Sequence, residues 1–301
     1  MEIRTLRYFL AVAREGNMTR AAGGLHVTQP TLSKALRALE NELGKRLFTR
    51  HSFSISLTEE GALLRDRAED LLLMVDKIER EFLSLDEVTG GDLYLGLAES
   101  YQIRYLAREI KRLKDRYPDL RYHITSGDTE QVTERLDKGL LDFAVLCGLP
   151  NERKYEHLLF PEVDYFGLVM RKDDCLAGRE GIRVGDLVGL PLFCSKQSWE
   201  GDIRPWAKER FGELRLEGSF RLAYNGSVFV KEGLGYLLAL DGLVDTSSES
   251  GLVFRPLSPA LEVPLCLAWG RRQTLTPIAK RFLDQLRAVF AACGREDHFA
   301  P

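Results

Sequence analysis

The stretch from Thr28 to Gly44 constrains this chain more than any other part of it. Leu32, Leu36, Leu39 and Leu43 recur at steps of four, three and four, the period of one helical face. Thr28 is placed to cap the first turn, Pro30 falls where its missing N–H is harmless, and Gly44 stands where a helix stops. The opposite face carries Gln29, Ser33, Lys34 and Arg37. A helix striped in this way must bury its leucines, and the upstream sequence supplies neighbours. Leu6, Phe9, Leu10 and Ala13 share one face of a helix ended by Gly16. A short second helix, Thr19 to Leu25, buries Ala21, Ala22 and Leu25, with Gly23 and Gly24 as poor helix formers inside it. After Gly44, the apolar pairs Leu47-Phe48 and Ser56-Leu57 bracket a polar turn, Thr49–Ser54, as in a short β-hairpin. Three short helices and a hairpin make an all-α winged helix-turn-helix over residues 1–58.

Charge separates this block from the rest. Met1 to Thr58 hold nine Lys and Arg against four Asp and Glu, a net +5, so the remainder carries −8 of the total −3. A basic module on an acidic body points to a polyanion met only at the N-terminus. The N-terminal amides of the third helix favour a phosphate, and Gln29 with Lys34 or Arg37 has the donors that read base edges. Spacing alone leaves open a plain three-helix domain with a solvated polar face.

The pattern Ala21-Ala22-x-x-Leu25-His26-Val27-Thr28-Gln29-Pro30-x-Leu32-Ser33-x-x-Leu36-x-x-Leu39-Glu40-x-x-Leu43-Gly44-x-x-Leu47-Phe48-x-Arg50, then Leu57-Thr58-x-x-Gly61, resembles the LysR-type transcriptional regulators. Its length and order make it far more specific than a short motif. The resemblance implies that Thr28, Gln29, Pro30, Ser33, Lys34, Arg37 and Arg50 form the DNA-contacting set. Gln29, Pro30, Ser33 and Lys34 meet the major groove, while Arg37 and Arg50 grip phosphates and the wing touches the adjacent minor groove. The chain departs from the family at Gly23-Gly24, at Lys34, where arginine is frequent, and in the wing at His51-Ser52-Phe53, where a basic residue is common. A lysine lacks the planar fork of arginine, so its base preference is looser. Phe53 reads as a packing residue.

From Thr58 the period changes. Leu64, Ala68, Leu71, Val75, Ile78 and Phe82 keep an a/d seam over nearly three heptads, behind Glu59 and Glu60 at the helix start. This long linker helix, residues 59–88, is expected to bury its seam against a second copy; packing on the chain's own body is the alternative. The family uses the element to dimerise, which suits a two-fold symmetric operator on double-stranded DNA. Thr89-Gly90-Gly91 reads as a flexible break and domain boundary.

Residues 89–301 alternate strands and helices. Strands are expected at Leu93–Ala98, Leu120–Thr125 and Asp142–Leu146, with helices at Tyr101–Tyr117 and Thr129–Lys138 between them. Long strands near Tyr165–Met170 and Pro264–Trp269 flank a middle block. There the units are Leu192–Ser195, a helix Glu200–Phe211, Glu217–Ala223, Ser227–Glu232 and Tyr236–Leu240. The whole is a periplasmic-binding-protein-like, two-lobed α/β effector domain, with lobe I at about 92–163 and 267–295 and lobe II at about 164–266. The segments Leu136-Asp137-x-Gly139-Leu140-Leu141-Asp142-Phe143-Ala144-Val145 and Val230-x-Glu232-Gly233-Leu234-Gly235-Tyr236 resemble recurrent family segments.

Ligands of such folds sit at strand C-terminal ends and helix N-termini. The expected effector-binding residues are Ser100, Tyr101, Gly127, Asp128, Cys147, Ser195, Lys196, Gln197 and Asn225. N-capping alone also accounts for Ser100 and Asp128. Glu99, if it lines the cleft, argues against a simple carboxylate effector. No G-x-S-x-G, Walker loop or third glycine after Gly233-Leu234-Gly235 is present, and the five histidines are scattered, so neither an enzyme, a metal nor a cofactor is expected. Thiol-based redox sensing through Cys194 and Cys147 is the rival within the same fold. No apolar run reaches the ~18 residues of a membrane span and no signal peptide opens the chain, so a cytoplasmic homodimer or homotetramer is expected, with RNA polymerase an admissible further partner.

Overall fold

Phe9, Leu32 and Leu39 are fully enclosed at the centre of the N-terminal block, where three helices and a hairpin close over them. The structure, a computed structural model, describes residues 1–51, 54–84 and 90–293, with the backbone alone at Arg50 and Ser84. The chain divides into two compact units, Met1–Leu83 and Ser84–Pro301.

In the first unit, α1 (Ile3–Glu15) buries Leu6, Phe9 and Val12 and ends at Gly16, whose φ of 58° is left-handed. Val12 takes the core place expected of Ala13, which is only half-buried. Helix α2 (Met18–Gly24) is capped by Asn17, whose side chain accepts from the amides of Thr19 and Arg20. A Schellman turn then leads to the third helix: the Val27 amide donates to the Ala22 carbonyl, the His26 amide to that of Gly23, and His26 sits at φ 55°. Helix α3 (Gln29–Leu43) has the expected cap at Thr28 and stop at Gly44, φ 65°. Leu43, however, is exposed, because the core ends one turn earlier at Leu39 and Leu36. The wing is β1 (Phe48–Arg50) paired antiparallel with β2 (Ile55–Leu57). Phe53 lies outside the described residues.

Helix α4 (Glu59–Ser84) completes this unit. Its first half packs on the three-helix core through Leu64, and Ala68 is buried. Arg7 of α1 donates to Asp76 at 2.7 Å and pins its second half. Leu71, Ile78 and Phe82 of the seam remain exposed in the single chain.

In the second unit, Gly90 and Gly91 are not a flexible break, and Thr89 lies outside the described residues. The two glycines open β3 (Gly90–Leu97), paired in register with the start of β4 (Asp119–Ser126). A Cβ on Gly90 would lie 2.5 Å from the Asp119 carbonyl carbon, so the glycine serves close strand approach rather than flexibility. A 3₁₀ turn, Tyr101–Ile103, leads into α5 (Arg104–Arg116), and α6 (Thr129–Asp137) follows β4. β5 (Phe143–Cys147) lies parallel to β3 on its other side. The strand expected near Tyr165 starts ten residues earlier: β6 (Tyr155–Arg171) runs the length of both lobes. It pairs with β11 (Glu262–Gly270) in lobe I, and with β9 (Tyr236–Leu240) and β10 (Leu252–Pro256) in lobe II. Lobe II adds β7 (Pro191–Cys194) and β8 (Arg215–Ser219), parallel to each other. The strand order is β4-β3-β5-β11-β6-β9-β7-β8, with β10 beside β6. Helix α10 (Pro277–Ala292) returns to cover lobe I with Phe282, Leu286 and Phe290.

Two other expectations fail in lobe II. The helix over Glu200–Phe211 is a chain of pieces: α7 (Lys196–Ser198), a π turn at Trp199–Ile203, α8 (Arg204–Ala207) and a 3₁₀ stretch. Pro205 has no N–H for the usual ladder, and the turn before it widens. The strand expected to reach Ala223 stops at Ser219, and α9 (Ala223–Lys231) begins there instead.

Candidate nucleic-acid interface and ligand cleft

Helix α3 turns two different faces outward and inward. Gln29, Pro30, Thr31, Lys34 and Arg37 are exposed. Pro30, Lys34 and Arg37 step by four and three and so share one face. The side chains of Gln29, Lys34 and Arg37 make no hydrogen bond or ion pair among the described residues, so their donors are available to a partner. Thr28 caps the helix by accepting from the Thr31 amide at 3.4 Å, and its hydroxyl lies 2.8 Å from that of Thr31. Ser33 departs from expectation: it is buried. It lies one residue from Leu32 and seven from the buried Glu40, on the flank of the leucine stripe rather than opposite it. The backbone of Arg50 is in β1, and its side chain lies outside the description.

Glu40 ties this helix to the wing. Its carboxylate accepts the Leu47 amide at 2.9 Å and lies 3.5 Å from Arg46. The strand bearing Arg50 is therefore held by the helix bearing Lys34 and Arg37.

The second unit holds a cleft of about 770 Å³ between its lobes. Of the expected residues, Gly127, Asp128, Cys147, Ser195, Lys196 and Gln197 line it. Ser100, Tyr101 and Asn225 do not. Ser100 is buried and caps the 3₁₀ turn by accepting from the Gln102 amide at 2.9 Å. Tyr101 stacks under the Arg104 guanidinium, 4.6 Å from its carbon to the ring centre. Asn225 lies within α9, and Ser219, Phe220, Arg221, Leu222 and Ala223 line the wall in its place. Asn225 is carried away from the wall because β8 stops at Ser219, four residues short of the expected Ala223, and α9 starts there. Glu99, Thr129 and Glu130 complete the polar side, and Phe166, Leu238, Leu240 and Leu243 form an apolar floor.

On β6, two residues before the cleft-lining Phe166, Asp164 is fully buried and neither carboxylate oxygen has a hydrogen-bond partner. Burial pushes its carboxyl up to about 6, with Asp241 adding to the shift. Ser100 and Gln102 lie close enough to pull it partly back without closing a hydrogen bond. Burial pushes the Cys147 and Cys194 thiols up to about 12. Among the described residues, no group of three His, Cys, Asp or Glu could hold a metal, and no helix is long and apolar enough to cross a membrane.

Two family models match the chain. Residues 3–62 match "Bacterial regulatory helix-turn-helix protein, lysR family", and residues 86–291 match "LysR substrate binding domain". The Hca operon transcriptional activator HcaR of Escherichia coli (strain K12) is 29% identical over 297 residues, covering 94% of this chain and 96% of that protein. The DNA-binding transcriptional dual regulator OxyR of the same strain is 34% identical over 194 residues, 64% of this chain and 63% of that one. Full-length CbnR, solved in complex with its target DNA, superposes with a TM-score of 0.77 at 21% identity, over 96% of this chain and 99% of that one. On these matches, which cover both units, the chain belongs to the LysR family of bacterial transcriptional regulators.

Proposed function

We propose that this regulator reads its operator through the exposed face of α3 and that a small molecule in the cleft of the second unit sets how it does so. The observation that carries the reading is the set of unpaired donors on Gln29, Lys34 and Arg37, on a capped helix in a block of net +5. Gln29 and Lys34 meet base edges. Thr28, Pro30, Arg37 and Arg50 meet backbone, and the buried Ser33 acts by keeping the helix in place. Phosphate contacts position the protein and base contacts select the sequence.

The exposed Leu71, Ile78 and Phe82 of α4 are the side of the seam that a second copy covers, giving paired α3 helices for a two-fold operator. The effector contacts fall to Gly127, Asp128, Cys147, Ser195, Lys196 and Gln197, joined by Glu99 and Arg221. A ligand shifts the regulator only through unequal affinity for its two arrangements.

The rival, a thiol sensor, draws on the likeness to OxyR and to hydrogen peroxide-inducible genes activators. Against it, burial pushes both thiols well above their ordinary range, and the thiolate is the reactive form.

The test is the double variant Gln29→Ala with Lys34→Ala, titrated against an operator and a random duplex of equal length. Base reading predicts a loss of about 10-fold or more on the operator and a much smaller loss on the random duplex. Equal losses on both would refute it.

A further inference from the structure

Two side chains reach across the cleft of the second unit, one from each lobe, and each accepts a backbone amide on the far side. Glu99, just beyond β3 in lobe I, accepts the amide of Ala223 in lobe II at 2.7 Å. Gln197, in lobe II, accepts the amide of Thr129 in lobe I at 3.0 Å and donates back to the Thr129 hydroxyl at 2.9 Å. Both amides belong to the first residue of a helix, where no intrahelical partner exists. The residue ahead of α9 is Leu222, which has no side chain able to cap it, so Glu99 does the capping from the other lobe. At α6 the local cap, Asp128, is already engaged with the Gln131 amide, and Gln197 takes the amide left over. Arg221 and Asp128 face each other across the same gap at 4.0 Å.

The Glu99 contact is partly buried, and the two Gln197 contacts are open to solvent. Glu99, Thr129, Gln197 and Ala223 all line the cavity itself. An acceptor brought in from the opposite lobe gives each contact a consequence that an ordinary cap lacks, since it cannot persist if the lobes part. A carboxylate on an amide is also among the stronger hydrogen bonds available here.

We propose that Glu99 and Gln197 form an interlobe clasp that holds the cleft closed when it is empty, so that a ligand seats only by displacing the clasp. The unliganded regulator is then a clasped, not an open, form, and breaking the clasp by mutation imitates part of what the ligand does. That regulatory consequence rests on the cleft being the effector site; the clasp itself rests on the four contacting residues alone.

Both clasped groups are backbone amides, so residue-resolved hydrogen exchange on the full-length protein without ligand reads them directly. Glu99→Ala is expected to speed exchange at Ala223 by about 10-fold or more, the worth of a charged hydrogen bond. It should speed Thr129 as well, because the second contact fails when the lobes separate. Gln197→Ala should do the converse. Unchanged exchange in α3 and β3 marks the variants as folded, and Glu99→Gln, which keeps the shape with a weaker acceptor, should fall between wild type and alanine. If each variant speeds only its own amide, or neither amide responds, the two contacts are local caps and the clasp is refuted. Operator affinity separates the two ideas. Coupled exchange with a wild-type affinity in both variants would leave the clasp standing and overturn the cleft as the effector site.

Discussion

The carboxylate of Glu40 accepts the amide of Leu47 at 2.9 Å, and through that bond the third helix holds the wing. Glu40 is nine-tenths buried, and the Phe48 amide lies 3.4 Å from the same oxygen. Glu40→Ala leaves the Leu47 amide buried without a partner, which costs about 2–3 kcal/mol of the first unit's stability. Glu40→Gln, which keeps an acceptor, should cost less than half as much. Chemical denaturation followed through the N-terminal unit checks both; a loss under about 0.5 kcal/mol for alanine would mean the bond carries no weight.

Gly23 offers the opposite experiment. A Cβ there would meet nothing within 4 Å, and the residue sits in α2 at an ordinary helical φ. Gly23→Ala should therefore stabilise by about 0.5–1 kcal/mol, with operator affinity unchanged. A fall in melting temperature would show that α2 needs the glycine for some contact outside the single chain.

Thr28, Gly16 and Gly44 were legible because capping and left-handed termination are local, set by the residue itself. Ser33 was not, because a polar side chain does not by itself mark an exposed face; its position beside Leu32 on the helix decides the matter, and a serine is small enough to be buried there. Gly90 and Gly91 misled for a related reason. A glycine marks either freedom or close approach, and only the partner strand at Asp119 tells which. Asn225 was misplaced because no local signal marks the end of β8 at Ser219. Glu99 was noticed as a charge in the cleft, but its partner, Ala223, is an amide 124 residues away that no spacing announces.

Asp164 makes stability depend on pH with a defined sign. Its folded carboxyl titrates at about 6, above the ordinary 3.8, so its contribution is present in full below the ordinary value and is lost as pH rises through about 6. Asp164→Asn removes the buried charge. Relative to wild type, its stability should rise steadily between pH 4 and 7, toward a ceiling of about 3 kcal/mol. Paired denaturation curves at pH 4 and pH 7 give the difference. A gap that does not change between them would mean that Asp164 is ionised throughout.

The five cysteines should sort by burial. Cys175 and Cys293 are exposed, whereas Cys194 and Cys266 are buried and Cys147 is held up at about 12 by its surroundings. Alkylation of the native protein at pH 7.5 should label Cys175 and Cys293 within minutes and leave the other three unlabelled until denaturant is added. Rapid labelling of Cys147 or Cys194, or a changed peroxide response in Cys194→Ser, would revive the thiol-sensing alternative.

On the proposed reading, duplex DNA is gripped by the exposed cations of α3. Operator affinity measured by fluorescence anisotropy across a salt series tests it most directly. The wild type should lose affinity linearly on a logarithmic plot, and Arg37→Ala should lower the magnitude of that slope by about one per phosphate contact removed in each DNA-bound copy. An affinity that does not respond to salt, or an Arg37→Ala slope equal to that of wild type, would contradict the account.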